Sequence, residues 1–473
     1  MREDIEDHVA AGLRPTRPAP LRSVLRAIDA DDWLALDVRV REESWYGSAT
    51  QAQERTAAPL LLELTRLGLA QPAFDLCHRN GRVRERAVGR AWSYPGLLPL
   101  IVIRCGDWVE PVRERARDLL HEALDMDAAV DLAPLILRTG RRGRGAFGVG
   151  LLEEVLRRAP ATGLTALLAS PDRAVRRFAY RLAIGQRILR PAELARAAAR
   201  DEDTVVQDLC SDAALIALKD NEAYDDVLGP LLNARSPRAR SAGVTALRQA
   251  GRPELAVRFL ADRSALVRAC ARYVMRQHGG DPTAWYRDRC AAPDAPGLPP
   301  GAVIGLAESG GRTDAGLLRP MLAHPAAGVR AHAVAGLRIL DLVDAERMRP
   351  LLDDPAPCVV RETTLALLPS SRDVPLEWLL ERTGPGRPRH VRLAAFRLLD
   401  ARGGVEALRV AVELLDDGDA KLRTWAAQCV QRWRPSVDVP RGDPEVRLLL
   451  DRSRHLFSDH ALRRLKWEAG VGG

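Results

Sequence analysis

Aromatic residues and lysine are scarce in this 473-residue chain, and long apolar runs are missing. Aromatics make up 4% of the residues, so leucine, valine and alanine must fill any core. No apolar run approaches the roughly 18 residues that a membrane-spanning helix needs, and the charged first residues are unlike a signal peptide. We therefore expect a cytoplasmic protein that makes no membrane contact.

Paired cysteines are missing too. The seven cysteines are scattered along the chain and none forms a C-x-x-C motif, which argues against a disulfide framework and favours a reducing compartment. The sequence also has no G-x-x-x-x-G-K-[ST], H-E-x-x-H or G-x-S-x-G motif. These absences give no reason to expect a cofactor or a metal site.

The chain is basic, with a net charge of +8 and a pI near 9.4. Such a charge can indicate a nucleic acid or another acidic partner. However, only Lys219, Lys421 and Lys466 are lysine among the 71 lysines and arginines. Abundant arginine, alanine, glycine and proline are typical of a GC-rich bacterial genome, so the charge alone is weak evidence for a polyanionic partner.

An arginine recurs about every 31 residues, and fixed self-similarity at this period predicts a solenoid of helix pairs. An aliphatic residue, mostly valine, precedes each marker, a small residue follows at position +3 and an apolar residue at +7. The markers, with glutamine at the fourth, are Arg84, Arg113, Arg176, Gln207, Arg240, Arg268, Arg330, Arg361, Arg392 and Arg423. Positions −1, +3 and +7 form one stripe of an α-helix, which we assign to the second helix of each pair.

At two positions of the repeat pattern, near residues 144 and 299, the expected arginine is missing. We call these positions slots. The second still predicts a helix, because Pro300 suits position N1 and Ala302 and Leu306 continue the stripe. The glycine-rich stretch 139–150 predicts a loop, with the helix resuming at Leu151.

We therefore expect about twelve repeats in an all-α chain. An N-terminal cap segment would span residues 1–45. The solenoid would span 46–434, with a loop break near 139–150, and a C-terminal helical cap would span 435–473, because terminal repeats need a polar outer face.

The unit resembles the short HEAT repeat, also called the PBS-lyase or EZ-HEAT repeat. Its turn aspartate, its aliphatic-arginine pair and its small residue recur as Asp107…Val112-Arg113…Ala116, Asp262…Val267-Arg268…Ala271 and Asp417…Leu422-Arg423…Ala426. The resemblance implies an α-α superhelix of the HEAT/ARM type with an Asp/Arg ladder between repeats. The ladder residues would be Asp107, Arg113, Asp201, Asp262, Arg268, Asp417 and Arg423. On this interpretation the arginine series holds the repeats together and does not bind a polyanion.

Positions +1, +5 and +8 of the second helices lie opposite the stripe, and the resemblance implies that they line a concave binding face. This strip is acidic in its first half and basic in its second half. We predict a partner-binding patch formed by Arg248, Tyr273, Arg276, Arg338 and Arg397. Because non-specific nucleic-acid binding needs phosphates neutralised along the whole path, the mixed strip favours a protein or peptide partner, with nucleic acid as the less favoured alternative.

Three other functions occur on HEAT-like scaffolds and stay open as alternatives. A DNA-repair protein of the alkylpurine glycosylase type would use concave tryptophans, and Trp92 near Asp118 is a faint match. A hydroxylase would need two His-Glu pairs for its metals, and only His121-Glu122 is present. A lyase would need a cofactor pocket, for which the sequence gives no sign. The loop Arg141–Gly145 could also cradle a phosphate through its backbone N–H groups.

Overall fold

The structure is a computed structural model that describes residues 28–46, 51–158, 161–218 and 224–472. Every regular element in these ranges is an α-helix or a short 3₁₀-helix, and no strand occurs among them. The all-α class predicted from the repeats is therefore confirmed. None of the helices in the described ranges is long and apolar enough to cross a membrane.

The chain divides into two compact units, residues 1–239 and 240–473. The division lies within helix α14, inside the range predicted as one solenoid. The predicted boundaries near residues 45 and 434 stay predictions.

The α-helices of the first unit, with α14 containing the division, are α1 (Ala30–Tyr46), α2 (Gln51–Arg66), α3 (Ala70–Cys77), α4 (Gly81–Arg90), α5 (Leu98–Arg104), α6 (Glu110–Ala123), α7 (Met126–Thr139), α8 (Ala146–Arg158), α9 (Ala161–Leu168), α10 (Arg173–Gly185), α11 (Pro191–Arg200), α12 (Thr204–Ala217), α13 (Tyr224–Leu232) and α14 (Pro237–Ala246).

The α-helices of the second unit are α15 (Ala265–Gln277), α16 (Pro282–Cys290), α17 (Pro300–Ser309), α18 (Ala315–Leu318), α19 (Ala327–Ile339), α20 (Ala345–Met348), α21 (Pro357–Leu367), α22 (Leu376–Thr383), α23 (Arg389–Arg402), α24 (Gly404–Glu413), α25 (Ala420–Arg432), α26 (Pro444–Arg452) and α27 (Asp459–Glu468).

Two kinds of helix contact build each unit. Consecutive helices pack as pairs, for example α11 with α12 and α22 with α23, and the second helices pack on one another, as in the series α17, α19, α21 and α23. Repeats that pack mainly on the repeats next to them in this way are the signature of a solenoid. The marker residues lie on the second helices, as predicted.

The apolar stripe of the second helices forms the core. Positions −1 and +3 are buried in nine of the ten marked repeats, and in α19 the stripe residues Val329, Ala333 and Leu337 are at most 1% exposed. The exception is the first marked repeat, where Val83 and Ala87 are half-buried. A small residue at +3 lets the neighbouring helix approach closely.

Two first helices of the second unit, α18 and α20, are very short and continue as 3₁₀ turns. Helix α18 passes into a 3₁₀ segment at Pro320–Ala323, and α20 passes into one at Arg349–Asp353. Proline stands in the first turn of both 3₁₀ segments. Since proline has no N–H to donate, it interrupts the α-helical hydrogen-bond pattern at these points.

The slot near residue 299 is helical, and Pro300 occupies the predicted first position of α17. Residues 301–307 of this helix are all buried.

The slot near residue 144 differs from the prediction. Helix α8 begins at Ala146, five residues before Leu151, so the break between α7 and α8 comprises only residues 140–145. Two of the glycines are closely packed there: a Cβ on Gly145 would lie 2.0 Å from the Thr139 carbonyl oxygen, and one on Gly140 would lie 2.4 Å from Val149 Cγ2. Glycine content alone could not distinguish such close packing from a flexible loop.

Close approach also explains Gly301 in α17, and it gives a testable prediction. A Cβ at Gly301 would lie 2.1 Å from the backbone oxygen of Ala261. Although alanine is the better helix former, Gly301→Ala should lower the free energy of unfolding by about 2 kcal/mol through overpacking. Urea titration followed by circular dichroism measures this change.

Gly316→Ala in α18 is the matched control, because a Cβ there meets no atom within 4 Å. It should be neutral or should stabilise the protein by about 0.5 kcal/mol. Equal stabilities for the two variants would contradict the close approach at Gly301.

Candidate interaction surface

Most marker arginines bind the turn that precedes their own helix. Arg330 Nη1 donates to the carbonyl oxygens of His324 at 2.7 Å and Pro325 at 2.9 Å. The same contact to the carbonyl six residues earlier recurs in Arg84 with His78, Arg113 with Asp107, Arg176 with Ser170, Arg268 with Asp262 and Arg423 with Asp417. One edge of the guanidinium therefore fixes the turn within its own repeat.

The other edge of the guanidinium reaches a carboxylate in the following repeat. Arg330 donates to Asp354 through Nε and Nη2 at 2.8 and 2.9 Å. Equivalent two-pronged pairs are Arg84 with Asp107, Arg176 with Asp201, Arg240 with Asp262 and Arg392 with Asp417. Such bidentate pairs have both the geometry and the strength of charge-assisted hydrogen bonds.

The structure gives each predicted ladder aspartate its partner. The side chains of Asp107, Asp201, Asp262 and Asp417 accept from an arginine one repeat earlier in the chain, or from two arginines in the case of Asp107. Arg113, Arg268 and Arg423 donate instead to the backbone oxygens of Asp107, Asp262 and Asp417. The spacing of residues along the sequence does not show which arginine binds the side chain of each aspartate, because that depends on where the neighbouring turn lies in space.

Two repeats keep the ladder with other residue types. Gln207 Nε2 donates to the Asp201 carbonyl at 2.7 Å, and its Oε1 accepts from Ser236 Oγ at 2.6 Å, so a neutral pair replaces an ionic one. Arg268 pairs with Glu308 on α17, 3.0 Å from Nε, rather than with a turn aspartate.

The ladder begins in a buried ionic cluster that the sequence did not reveal. The side chains of Arg84 and Asp107 are fully buried, and Arg104 contacts both Asp107 and Asp37 of α1. The guanidinium of Arg84 lies 4.5 Å from the ring centre of Trp108. Asp37 and Arg104 lie outside the marker positions, so the repeat carried no signal for them.

The predicted patch separates into two groups in the second unit. Arg248 Nη1 donates to Tyr273 Oη at 2.9 Å and its guanidinium lies 5.9 Å from that ring centre, while Arg276 is exposed on the same helix as Tyr273. Arg338 lies 3.5 Å from Glu362, and Arg397 is exposed on α23.

The repeat at the slot near residue 299 lies between these two groups in the sequence, and it has no charged residue at positions +5 and +8. Ile304 and Ala307 occupy positions +5 and +8 of the slot at 299, and both are buried. Their apolar character is visible in the sequence and could have indicated the separation.

An open pocket lies among the second helices α21, α23 and α25, with a volume of about 520 Å³. We call it the Arg361 pocket, and its lining is Pro357, Val360, Arg361, Thr364, His390, Leu393, Ala394, Arg397 and Trp425. Val360, Thr364 and Ala394 are buried, whereas Arg361 and Arg397 are exposed. Trp425 makes an edge contact with Phe396, at 5.0 Å between ring centres.

In the first unit the charges of the second-helix face pair with one another. Arg177 donates to Asp203 at 2.9 and 2.7 Å, and Asp208 pairs with Arg238. Glu114 contacts both Arg113 and Arg117. These ion pairs therefore neutralise part of the charge on the second-helix side of the first unit.

The residues considered for catalysis lie on exposed surface. His121, Glu122 and Asp118 are exposed on or beside α6, and the side chain of Trp92 is half exposed. Within the part of the chain that the structure describes, no group of three or more His, Cys, Asp or Glu side chains is arranged to hold a metal ion. In the loop considered for phosphate, the N–H groups of Arg141, Arg142 and Gly145 already donate to nearby carbonyls.

Comparisons with known proteins add little to these observations. No protein-family model matches the chain, and no curated protein matches it. A similar solved structure comes from work on tubulin recruitment and assembly by microtubule polymerases with tumor overexpressed gene (TOG) domain arrays. It is 11% identical, covers 76% of this chain and 99% of its own, and has a TM-score of 0.23. The HEAT-like character of this chain therefore rests on its own helix pairs, stripe and ladder.

Removal of a ladder carboxylate should destabilise the second unit. Arg330 and Asp354 are both largely buried, so Asp354→Ala would leave a guanidinium without its partner and should cost about 3 kcal/mol. Asp416→Ala is the control, because Asp416 is 87% exposed and should change stability by less than about 0.5 kcal/mol. Chemical denaturation measures both changes, and comparable losses would contradict the ladder's structural role.

We expect the folded protein to be less stable in acid, because these ion pairs need ionised carboxylates. The hydrogen bond from Arg177 lowers the pKa of Asp203 to about 2, against about 3.9 in an unfolded chain. Because the folded-state pKa is the lower one, Asp203 stabilises the fold above about pH 4, and this contribution is lost as the pH falls toward 2.

Asp203→Asn should keep the helix cap and remove this dependence. The difference in unfolding free energy between wild type and Asp203→Asn should narrow from pH 5 to pH 2, as measured by urea denaturation at each pH. An equal narrowing for Asp212→Asn, an exposed position on the same helix, would show that the effect does not come from the Arg177 pair.

Proposed function

We propose that this chain is a non-enzymatic scaffold of the cytoplasm, from a GC-rich bacterial genome, that binds a protein or peptide partner on its second-helix face. The observation that carries the proposal is that the arginines of the second unit fall into two groups, one held by carboxylates of the ladder and one exposed. Arg240, Arg330 and Arg392 are held by carboxylates of the ladder. Arg338, Arg361 and Arg397 are exposed, and the last two line an apolar pocket.

The exposed residues have the character of a protein-binding surface. Arginine and tyrosine are favoured at the energetic centres of interfaces, and Arg248 with Tyr273 forms a preassembled pair of these types. An apolar pocket with convergent polar groups at its rim is the usual form of a specific binding site. Ordered side chains lose less entropy on binding, which favours affinity.

Nucleic acid is supported less well. On the second-helix face of the first unit, a polyanion would meet Glu114, Asp203 and Asp208, which are already paired with arginines of this chain. Since affinity for a phosphate backbone depends on neutralising many phosphates, arginines that are already paired with carboxylates are poor partners for it.

The predicted patch can be tested by charge reversal. A triple variant with Arg248→Glu, Arg276→Glu and Arg338→Glu should remain folded, because these side chains lie outside the ladder, and should lose the partner that wild type captures in a pull-down from its native cell. Mass spectrometry of the captured protein measures this loss. Retention of the same partner at wild-type yield would exclude the patch.

A matched triple variant controls for net charge. Arg312→Glu, Arg319→Glu and Arg347→Glu change exposed arginines on the first-helix side of the same unit and should leave capture unchanged. A gel shift with duplex DNA at about 50 mM salt tests the alternative, because a phosphate-driven complex is strongest at low salt. A complex there that the first triple variant abolishes would favour nucleic acid over protein.

A further inference from the structure

Arg361 is a ladder residue that has lost its ladder contacts. The position six residues before the next marker, where four repeats carry the aspartate, is Gly386. The carbonyl six residues before Arg361 belongs to Pro355, and within the described residues Arg361 makes no hydrogen bond to it. Arg361 therefore makes neither contact of a marker arginine.

The consequence is an exposed guanidinium. The Arg361 side chain is 66% exposed, against 13% for the equivalent Arg330. Within the described residues, its hydrogen bonds go only to the adjacent Glu362, at 3.1 and 3.3 Å. Glu362 is also 3.5 Å from Arg338, so one carboxylate serves two guanidinium groups.

Arg397 adds a second positive charge to the same pocket. Its side chain is exposed on α23 and has no carboxylate within ion-pair distance among the described residues. Other arginines nearby are neutralised, since Arg387 pairs with Glu381 and Arg389 with Asp419. The rim of the pocket therefore has an excess of positive charge that the described residues do not balance.

The floor between the two arginines is apolar. Val360 and Ala394 are buried beneath it, and Leu393 and Trp425 form its sides. The volume of about 520 Å³ lies within the range of specific ligand pockets. An occupant must therefore offer an apolar group to the floor and negative charge to the rim.

We propose that the Arg361 pocket binds an acidic peptide segment, with one apolar side chain on the floor and flanking carboxylates on Arg361 and Arg397. This site rests on the proposed function and specifies its partner as acidic. A peptide fits better than a nucleic acid, because the floor is aliphatic rather than an aromatic platform for base stacking, and Trp425 already packs edge-on against Phe396. Arginine is also suited to bidentate carboxylate recognition.

A defined probe tests the pocket directly. A fluorescein-labelled heptapeptide with a central leucine, flanked on each side by glutamates, should bind full-length wild type in fluorescence polarisation. A double variant with Arg361→Gln and Arg397→Gln should bind it about tenfold more weakly or worse, since each lost contact is a charge-assisted hydrogen bond. Arg319→Gln, an exposed arginine on the first-helix side, should bind like wild type.

The apolar anchor and the sign of charge are tested by two further peptides. Replacing the central leucine with serine should weaken binding, and replacing the glutamates with lysines should abolish it. Equal binding of the acidic peptide to wild type and to the double variant, or no binding to wild type, would overturn the proposal.

If the Arg361 pocket binds something other than an acidic peptide, the experiments give different results, and each of these would also overturn the proposal. Tighter binding of oligothymidylate than of the acidic peptide, lost in the double variant, would assign the pocket to nucleic acid. Self-association in sedimentation that the double variant abolishes would assign it to a second copy of this chain. If the peptide fails while the Arg248, Arg276 and Arg338 triple variant still loses the native partner, the pocket assignment falls and the proposed function stands.

Discussion

Arginine joins each turn to the next because its guanidinium carries five N–H donors in a fixed plane. In Arg330 one edge binds the carbonyls of the preceding turn and the other edge grips Asp354 of the following repeat. A lysine could not make both contacts at once, and none of the three lysines stands at a marker position. Since a solenoid has few contacts distant in sequence, this repeated contact sets how one helix pair lies on the next.

The same contact explains where charge can be buried. At the start of the ladder Arg84, Arg104 and Asp107 are almost completely buried, which is tolerable only because each charge is paired and hydrogen-bonded. Where a repeat lacks the carboxylate, the ladder adapts. Gln207 with Ser236 makes a neutral version, and Arg268 turns to Glu308.

Arg361 is different, because within the described residues it makes neither the turn contact nor the contact to the following repeat, and it bonds only to the adjacent Glu362. Its guanidinium is at a position that is structural in other repeats, but it is exposed beside the apolar floor of the Arg361 pocket. A residue that departs from the repeat pattern is thus informative, because the surrounding repeats show which contacts it would otherwise make. The regular arginines bind turns and carboxylates within the array, whereas Arg361 departs from this pattern and is exposed, which is the basis of the pocket that we propose.

The sequence by itself determined the local features of this protein. The period of about 31 residues, the buried stripe of Val329, Ala333 and Leu337, and the helix start at Pro300 all follow from the positions of side chains along one helix. Tertiary structure decided what depends on neighbouring repeats: the partner of each ladder aspartate, the packing role of Gly140 and Gly145, and the assembly of the Arg361 pocket from three helices. A periodic pattern records which face of a helix is buried, but only the packed neighbours show which groups lie opposite that face.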